Sequence, residues 1–280
     1  MKRPTVIWRV SKYMAKKIIR IICYFFPIFR RFLLIKIKGS DNTIRIIENG
    51  KEYINKTSKI PKGLRLEITG NSNTVTIEMP ITLRNSSLEI HSSGKVIDIG
   101  KNCRFNNLLI LCSAGTGQIV KIGKNSTSEG SVTIRLTYNA KVIIGNDCMF
   151  AHDIFIRATD AHTIIDKETG AIINKPKHPL IIGNHCWIGQ KCLLAKNTVI
   201  PNNSIVGMGS VVTKIFTEAY TAIAGNPAMA VKRNILWDRG DIAEFEKSNQ
   251  FDNKIDTASL DFIFRSNRNN TTSIESMPKI

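Results

Sequence analysis

The sequence predicts an all-β protein wound as a parallel β-helix. Two observations carry that prediction. First, from Ile182 to Thr213 an aliphatic residue recurs every six positions: Ile182, Ile188, Leu194, Ile200, Val206 and Val212. Neither the 3.6-residue period of a helix nor the 2-residue period of a half-buried strand gives six, whereas a solenoid of short strands and tight turns does. Second, from Ile188 onward the residue two places before each aliphatic is small (Cys186, Cys192, Thr198, Ser204, Ser210), as a crowded interior corner requires. Three six-residue units close one triangular coil of about 18 residues.

Taken in chain order, residues 1–38 stand apart. They hold 11 of the 40 Lys and Arg residues and no acid, so they account for most of the formal charge of +18. Ile7, Val10, Met14, Ile18, Ile21 and Phe25 fall on one helical face, with Arg9, Lys12, Lys16 and Arg20 opposite. Pro27 ends or kinks this helix. The longest uncharged run, Ile21 to Phe29, is too short to span a bilayer, and no cleavage site follows it. A basic amphipathic helix suits an anionic membrane surface; equally it suits a cap over the open end of the solenoid. Because the charge is confined to this segment and no nucleic-acid module is visible, nucleic-acid binding is not expected.

The solenoid is expected from about residue 39 to about 215, within a domain running to 235. GSDNTIRI from Gly39, GNSNTVTI from Gly70, SSGKVIDIG from Ser92, GTGQIVKIG from Gly115 and NAKVIIG from Asn139 each read as a polar turn before alternating apolar residues. Each marks one coil, with longer turns than the coils at the C-terminal end. Ile99, Phe105 and Leu111, then Ile144, Phe150 and Ile156, continue the inward ladder. Ile156 to Ile182 reads as one coil with about eight extra residues, so a loop is thrown out at about 160–180. After Pro227 the period is lost. Lys232 to Phe245 reads as a short helix; from Ser248 the chain is Asn-, Ser- and Asp-rich, and the extension 236–280 is expected to be partly disordered.

Six cysteines are scattered without CxxC spacing, two of them at the small interior position. They read as buried residues of a reducing compartment. No Cys/His cluster has zinc spacing, and no metal is expected.

Loops on rigid scaffolds carry function. This one begins Asp160-Ala161-His162. A histidine there suits a general base, with the carboxylate setting its tautomer or holding an acceptor. His178, in the same loop, is the competitor; His91, His152 and His185 read as ordinary surface residues.

The stretch TDAHTIID … HPLIIGNHCWIGQKCLLAKNTVIPNNSIVGMGSVVTKIF … AIAGNPAMAVKR resembles the hexapeptide-repeat (left-handed β-helix) acyltransferases, most of all the bacterial sugar O-acetyltransferases of capsule and lipopolysaccharide. The resemblance is dense over about 139–239 and looser back to residue 39. It implies a left-handed coil, a homotrimer with active sites between subunits, and direct acetyl transfer from acetyl-CoA to a sugar hydroxyl, sialic acid included. It further implies His162 as base, Trp187 beside the reacting centre, and Asp160 in the same motif. Met208, Gly209, Thr213 and Lys214 match positions along the pantetheine arm. Pro227, Lys232 and Arg233 match the segment near the adenosine and its phosphates. Met229 departs from the pattern, standing where relatives often carry Lys or Arg. Two other classes remain open: an N-acetyltransferase acting on a nucleotide-linked amino sugar, and a non-catalytic β-helix scaffold. With the basic N-terminus, a cytoplasmic protein peripheral to the inner membrane is expected.

Overall fold

The computed structural model describes residues 34–248. The expected amphipathic helix of residues 7–25 and the tail beyond 248 lie outside them. The chain divides into two compact units, between Trp237 and Asp238.

The first unit is a parallel β-helix of three eight-stranded sheets. After the first coil, in which Lys51–Ile54 turns back antiparallel on Thr43–Glu48 of the second sheet, the coils visit the first, second and third sheet in turn. Ile182 lies on the second sheet, Ile188 on the third, Leu194 on the first, and Ile200, Val206 and Val212 repeat the order. All six are at most 1% exposed. The small residues of the repeat are equally buried: Cys186, Thr198, Ser204 and Ser210 show no exposure. The expected fold class is thus met in its all-β, parallel-sheet part.

The coils shorten along the chain. Asn146 lies 22 residues after its partner Lys124 in the coil before, and Asn202 lies 18 after Asn184. Between them Asn184 lies 38 residues after Asn146. The inserted loop therefore exceeds the eight residues read from sequence. Ile156 is on the first sheet and Ile182 on the second, so the 26-position step from one to the other joins two neighbouring faces rather than closing a coil. A second expectation also fails. Leu111 is half-buried and outward, while Ile110 and Cys112 fill the interior. The longer turns of these coils shift the phase of the six-residue count.

One corner shows why the turns read as Gly-Asn. Asn184 Oδ1 accepts from the Asn146 backbone N–H at 2.8 Å, and Asn202 Oδ1 from that of Asn184 at 2.7 Å. This ladder brings backbones so close that a Cβ on Gly183 would fall 2.6 Å from Asn202 N. Glycine is required there by contact rather than by dihedral angle.

At the N-terminal end the solenoid begins at Ile35, inside the segment the sequence sets apart. Ile35–Lys38 pairs in parallel with Leu64–Thr69. At the other end Ala228–Lys232 folds back antiparallel on Ala222–Gly225. The helix expected from Lys232 is therefore confined to Ile242–Ser248. The backbone of Lys232 is committed to sheet pairing, and Asp241 starts the helix by accepting from the Ala243 N–H at 2.8 Å.

Candidate functional site

The loop between the strands Ile154–Arg157 and Leu180–Ile182 leaves the solenoid at the corner between the first and second sheets. It doubles back as a narrow arm. Ile165 bridges Ile172, and the Ile173 N–H donates to Ile164 O at 3.0 Å. The arm's tip is closed by Asp166, whose Oδ1 accepts from the Thr169 N–H and hydroxyl, both at 2.8 Å.

Asn174 ties the base of the arm. Its Nδ2 donates to Asp160 Oδ2 at 3.0 Å and to the His162 carbonyl at 2.7 Å, while its Oδ1 accepts from the Ile164 N–H at 2.9 Å. Lys196, one coil on at the same corner, donates to the same Asp160 oxygen. Partial burial pushes the Asp160 carboxyl up, but the bonds from Lys196 and Asn174 and the charges of Lys196 and Arg157 outweigh it and hold its pKa below the usual range. Asp160 therefore fixes the loop's backbone, and no hydrogen bond joins it to the His162 ring. His162 is exposed, in a hollow it shares with Thr137, Tyr138, Asp160 and Asn174. His178 faces a different hollow, with Asn139, Lys141 and Pro176; its Nδ1 lies 2.8 Å from its neighbour's carbonyl, Pro179 O.

The lowered carboxyl sets a pH signature. A depressed folded-state pKa contributes stability above the unfolded carboxylate value, and that contribution is lost as pH falls through the folded value. Asp160→Asn is expected to be less stable than the parent at neutral pH, and the difference should shrink as pH falls from the ordinary carboxylate value through the lower folded-state value. Melting temperatures between pH 2 and 7 check this; a constant offset across the range would refute it.

Trp187 lies on the third sheet and is 37% exposed. In a triangular coil that face is opposite the corner carrying His162, so one chain does not bring the two together. Trp187 instead meets Trp237, with ring centroids 6.1 Å apart. Trp237 in turn stacks on His185 at 4.2 Å and 12°, and its Nε1 donates to the His185 carbonyl at 2.9 Å. His185 Nδ1 lies 2.7 Å from Asp147 Oδ2. Sequence reasoning read His185 as a surface residue and did not single out Trp237. Nothing in the local pattern marks a tryptophan beyond the end of the repeat as a partner of one 50 positions earlier.

The residues matched to donor binding gather at the C-terminal coils. Met208 is 73% exposed, and Gly209 takes φ +73 with open space around it. The Gly225 N–H donates to Ser210 Oγ at 3.1 Å, which joins GMGS to AGNPA. Thr213, Lys214, Pro227 and Lys232 are exposed. Lys214 Nζ reaches the Met229 sulfur at 2.8 Å. Arg233 is paired with Glu218 at 2.6 Å, so its charge is partly spoken for.

The thiols are not nucleophile candidates. All five described cysteines are buried. Burial pushes Cys103 up to about 11 and Cys112 up to about 12. Among the described residues no three His, Cys, Asp or Glu side chains cluster to hold a metal ion.

No family model matches the chain. It is 34% identical over 202 residues to the polysialic acid O-acetyltransferase of Neisseria meningitidis, covering 72% of this chain and 88% of that protein. It is 38% identical over 148 residues to the polysialic acid O-acetyltransferase of Escherichia coli O1:K1 / APEC, covering 53% of this chain and 46% of that protein. The match thus spans less than half the length of the latter. Two crystal structures superpose with TM-score 0.64 over 77% of this chain. One is a polySia-specific acetyltransferase, at 29% identity and 93% of its length; the other is a polysialic acid O-acetyltransferase, at 30% and 96%. With its period of six, its three parallel sheets and a relative matched over most of its length, the chain belongs to the hexapeptide-repeat sugar O-acetyltransferases, the family that holds these enzymes.

Proposed function

We propose that this protein moves an acetyl group from acetyl-CoA to a hydroxyl of a sialic acid unit in a bacterial surface glycan, with His162 as general base. The observation that carries the reading is the 34% identity to a polysialic acid O-acetyltransferase across 88% of that protein. The geometry supplies the roles. The His162 imidazole takes the proton of the acceptor hydroxyl as its oxygen attacks the thioester carbonyl. The imidazolium then returns that proton to the departing thiolate. Transfer is direct in this reading; burial keeps the Cys103 and Cys112 thiols protonated near neutral pH, so neither offers a thiolate. A backbone N–H of a neighbouring coil receives the developing oxyanion.

In this reading the coil is left-handed and three chains assemble around a common axis. His162 of one chain then faces Trp187 of the next across a cleft, which fits their separation on one chain. The flat Trp187 face, held from behind by Trp237, walls the acetyl and pantetheine side. Gly209 and Gly225 leave a surface without side chains for the donor's arm. Lys214 and Lys232 offer cations to its phosphates.

The test is CoA thiol release from acetyl-CoA with polysialic acid, neutral glycans and nucleotide-linked amino sugars. Release is expected with polysialic acid. Release with an amino-sugar nucleotide alone would replace the O-transfer reading by N-transfer.

A further inference from the structure

Two arginines lie side by side on the outer face of the first sheet with no carboxylate between them. Arg135 stands opposite Arg157 in the parallel register. Neighbouring strands are about 4.8 Å apart, and like charges in direct opposition destabilise a sheet. The outward column through them runs Lys36, Glu67, Glu89, Leu111, Arg135, Arg157. Its carboxylates are committed elsewhere. Glu67 pairs with Lys36 at 2.7 Å and Arg65 at 2.6 Å, and Glu89 lies 4.0 Å from Arg65 and 3.9 Å from His91. Leu111 then separates Glu89 from Arg135. Arg157 Nε donates to the Thr159 carbonyl at 3.1 Å, and its Nη2 lies 3.5 Å from the Asp160 carbonyl; its charge also acts on the Asp160 carboxylate, which is hydrogen-bonded to Lys196 and Asn174 instead. Arg135 has no ion pair among the described residues.

The pair opens into a hollow of about 130 Å³ lined also by Leu111, Ser113, Thr137 and Thr159. The hollow containing His162 adjoins it and shares Thr137, Thr159 and Ala161. The dividing wall is firm, since the Thr137 and Thr159 hydroxyls lie 2.6 Å apart. A group bound to the arginines would sit one side chain away from the base.

We propose that Arg135 and Arg157 form a carboxylate-binding subsite, which holds an acidic sugar so that one of its hydroxyls reaches His162. The subsite rests on the acetyl-transfer reading and deepens it, naming what selects the acceptor. A guanidinium meets a carboxylate with two parallel N–H donors, which fixes direction as well as charge. The acid relieves the repulsion of two facing cations; a neutral sugar leaves it in place, so discrimination comes from both sides.

The experiment measures binding of an oligosialic acid and its carboxyl-reduced form to the parent, Arg135→Gln and Arg135→Lys at low salt. Acetyl-CoA affinity and melting temperature are read alongside. The parent is expected to prefer the carboxylate form, and Arg135→Gln to weaken it roughly 10- to 100-fold, as loss of a charged hydrogen-bonding partner does. Arg135→Lys should recover part of the loss, with the reduced form and acetyl-CoA bound as before. Equal binding of both forms by the parent, binding of neither, unchanged binding by Arg135→Gln, or a loss confined to acetyl-CoA would each overturn the subsite. Turnover separates the two readings. Parent turnover of oligosialic acid that Arg135→Gln leaves untouched rejects the subsite and keeps the transfer. Carboxylate-dependent binding lost in Arg135→Gln, without turnover by the parent, keeps the subsite and rejects the transfer.

Discussion

His162→Ala is expected to lower acetyl transfer by about 10²- to 10⁴-fold, the range a positioned general base contributes. Folding and donor binding should survive. His162 is exposed, and no hydrogen bond among the described residues holds its ring, so truncation removes no packing. The Asn174 clamp grips the backbone carbonyl of residue 162, which alanine retains. CoA thiol release with the accepting glycan, read beside acetyl-CoA affinity, decides the matter. A rate within tenfold of the parent would put the base elsewhere. His178→Ala is then the next variant, since His178 is the other histidine of the loop and its ring has its own polar partner.

Phe150→Ala is expected to cost about 3–5 kcal/mol, the range for deleting a buried aromatic side chain. Phe150 shows no exposure, and its ring lies 6.3 Å from that of Phe105 with a 42° tilt. These two rings fill one stretch of the interior, where coils are wider than the 18-residue coils downstream. The rigid backbone ladders around them limit collapse into the void. Because solenoid coils contact chiefly their neighbours, the loss should concentrate at this coil. Hydrogen exchange should rise first in Met149–Phe150 and its paired strands. Denaturant unfolding gives the magnitude; a change below about 1 kcal/mol would mean that the interior refills, against close packing as the main source of order here.

These two variants also mark how differently the fold and the site were legible. The inward ladder from Ile182 to Val212 needed only the period of six, because one residue per face must be apolar in every coil. The count failed at Leu111 and across the loop, for one reason. A period identifies a face only while every turn has the same length, and the 22-residue and 38-residue coils break that condition. The helix read from Lys232 failed because pairing with Ala222 outcompeted a local preference that no short-range signal opposed.

At the site, the loop and its Asp160-Ala161-His162 start were visible as an interruption of the repeat. The partner of Asp160 was not. Lys196 is 36 residues away and meets it only because the corners of successive coils are stacked. The same stacking sets Arg135 against Arg157 and divides the two hollows with the Thr137–Thr159 pair. Trp237 reaches Trp187 and His185 because the chain after the last coil folds back on the third sheet. The sequence by itself determined the coil, the inward residues of its regular part and the place where the loop leaves it, since these depend on composition at fixed spacing. Only the tertiary structure decided which side chains become neighbours across coils, because that depends on the length of each turn, which the six-residue period does not record.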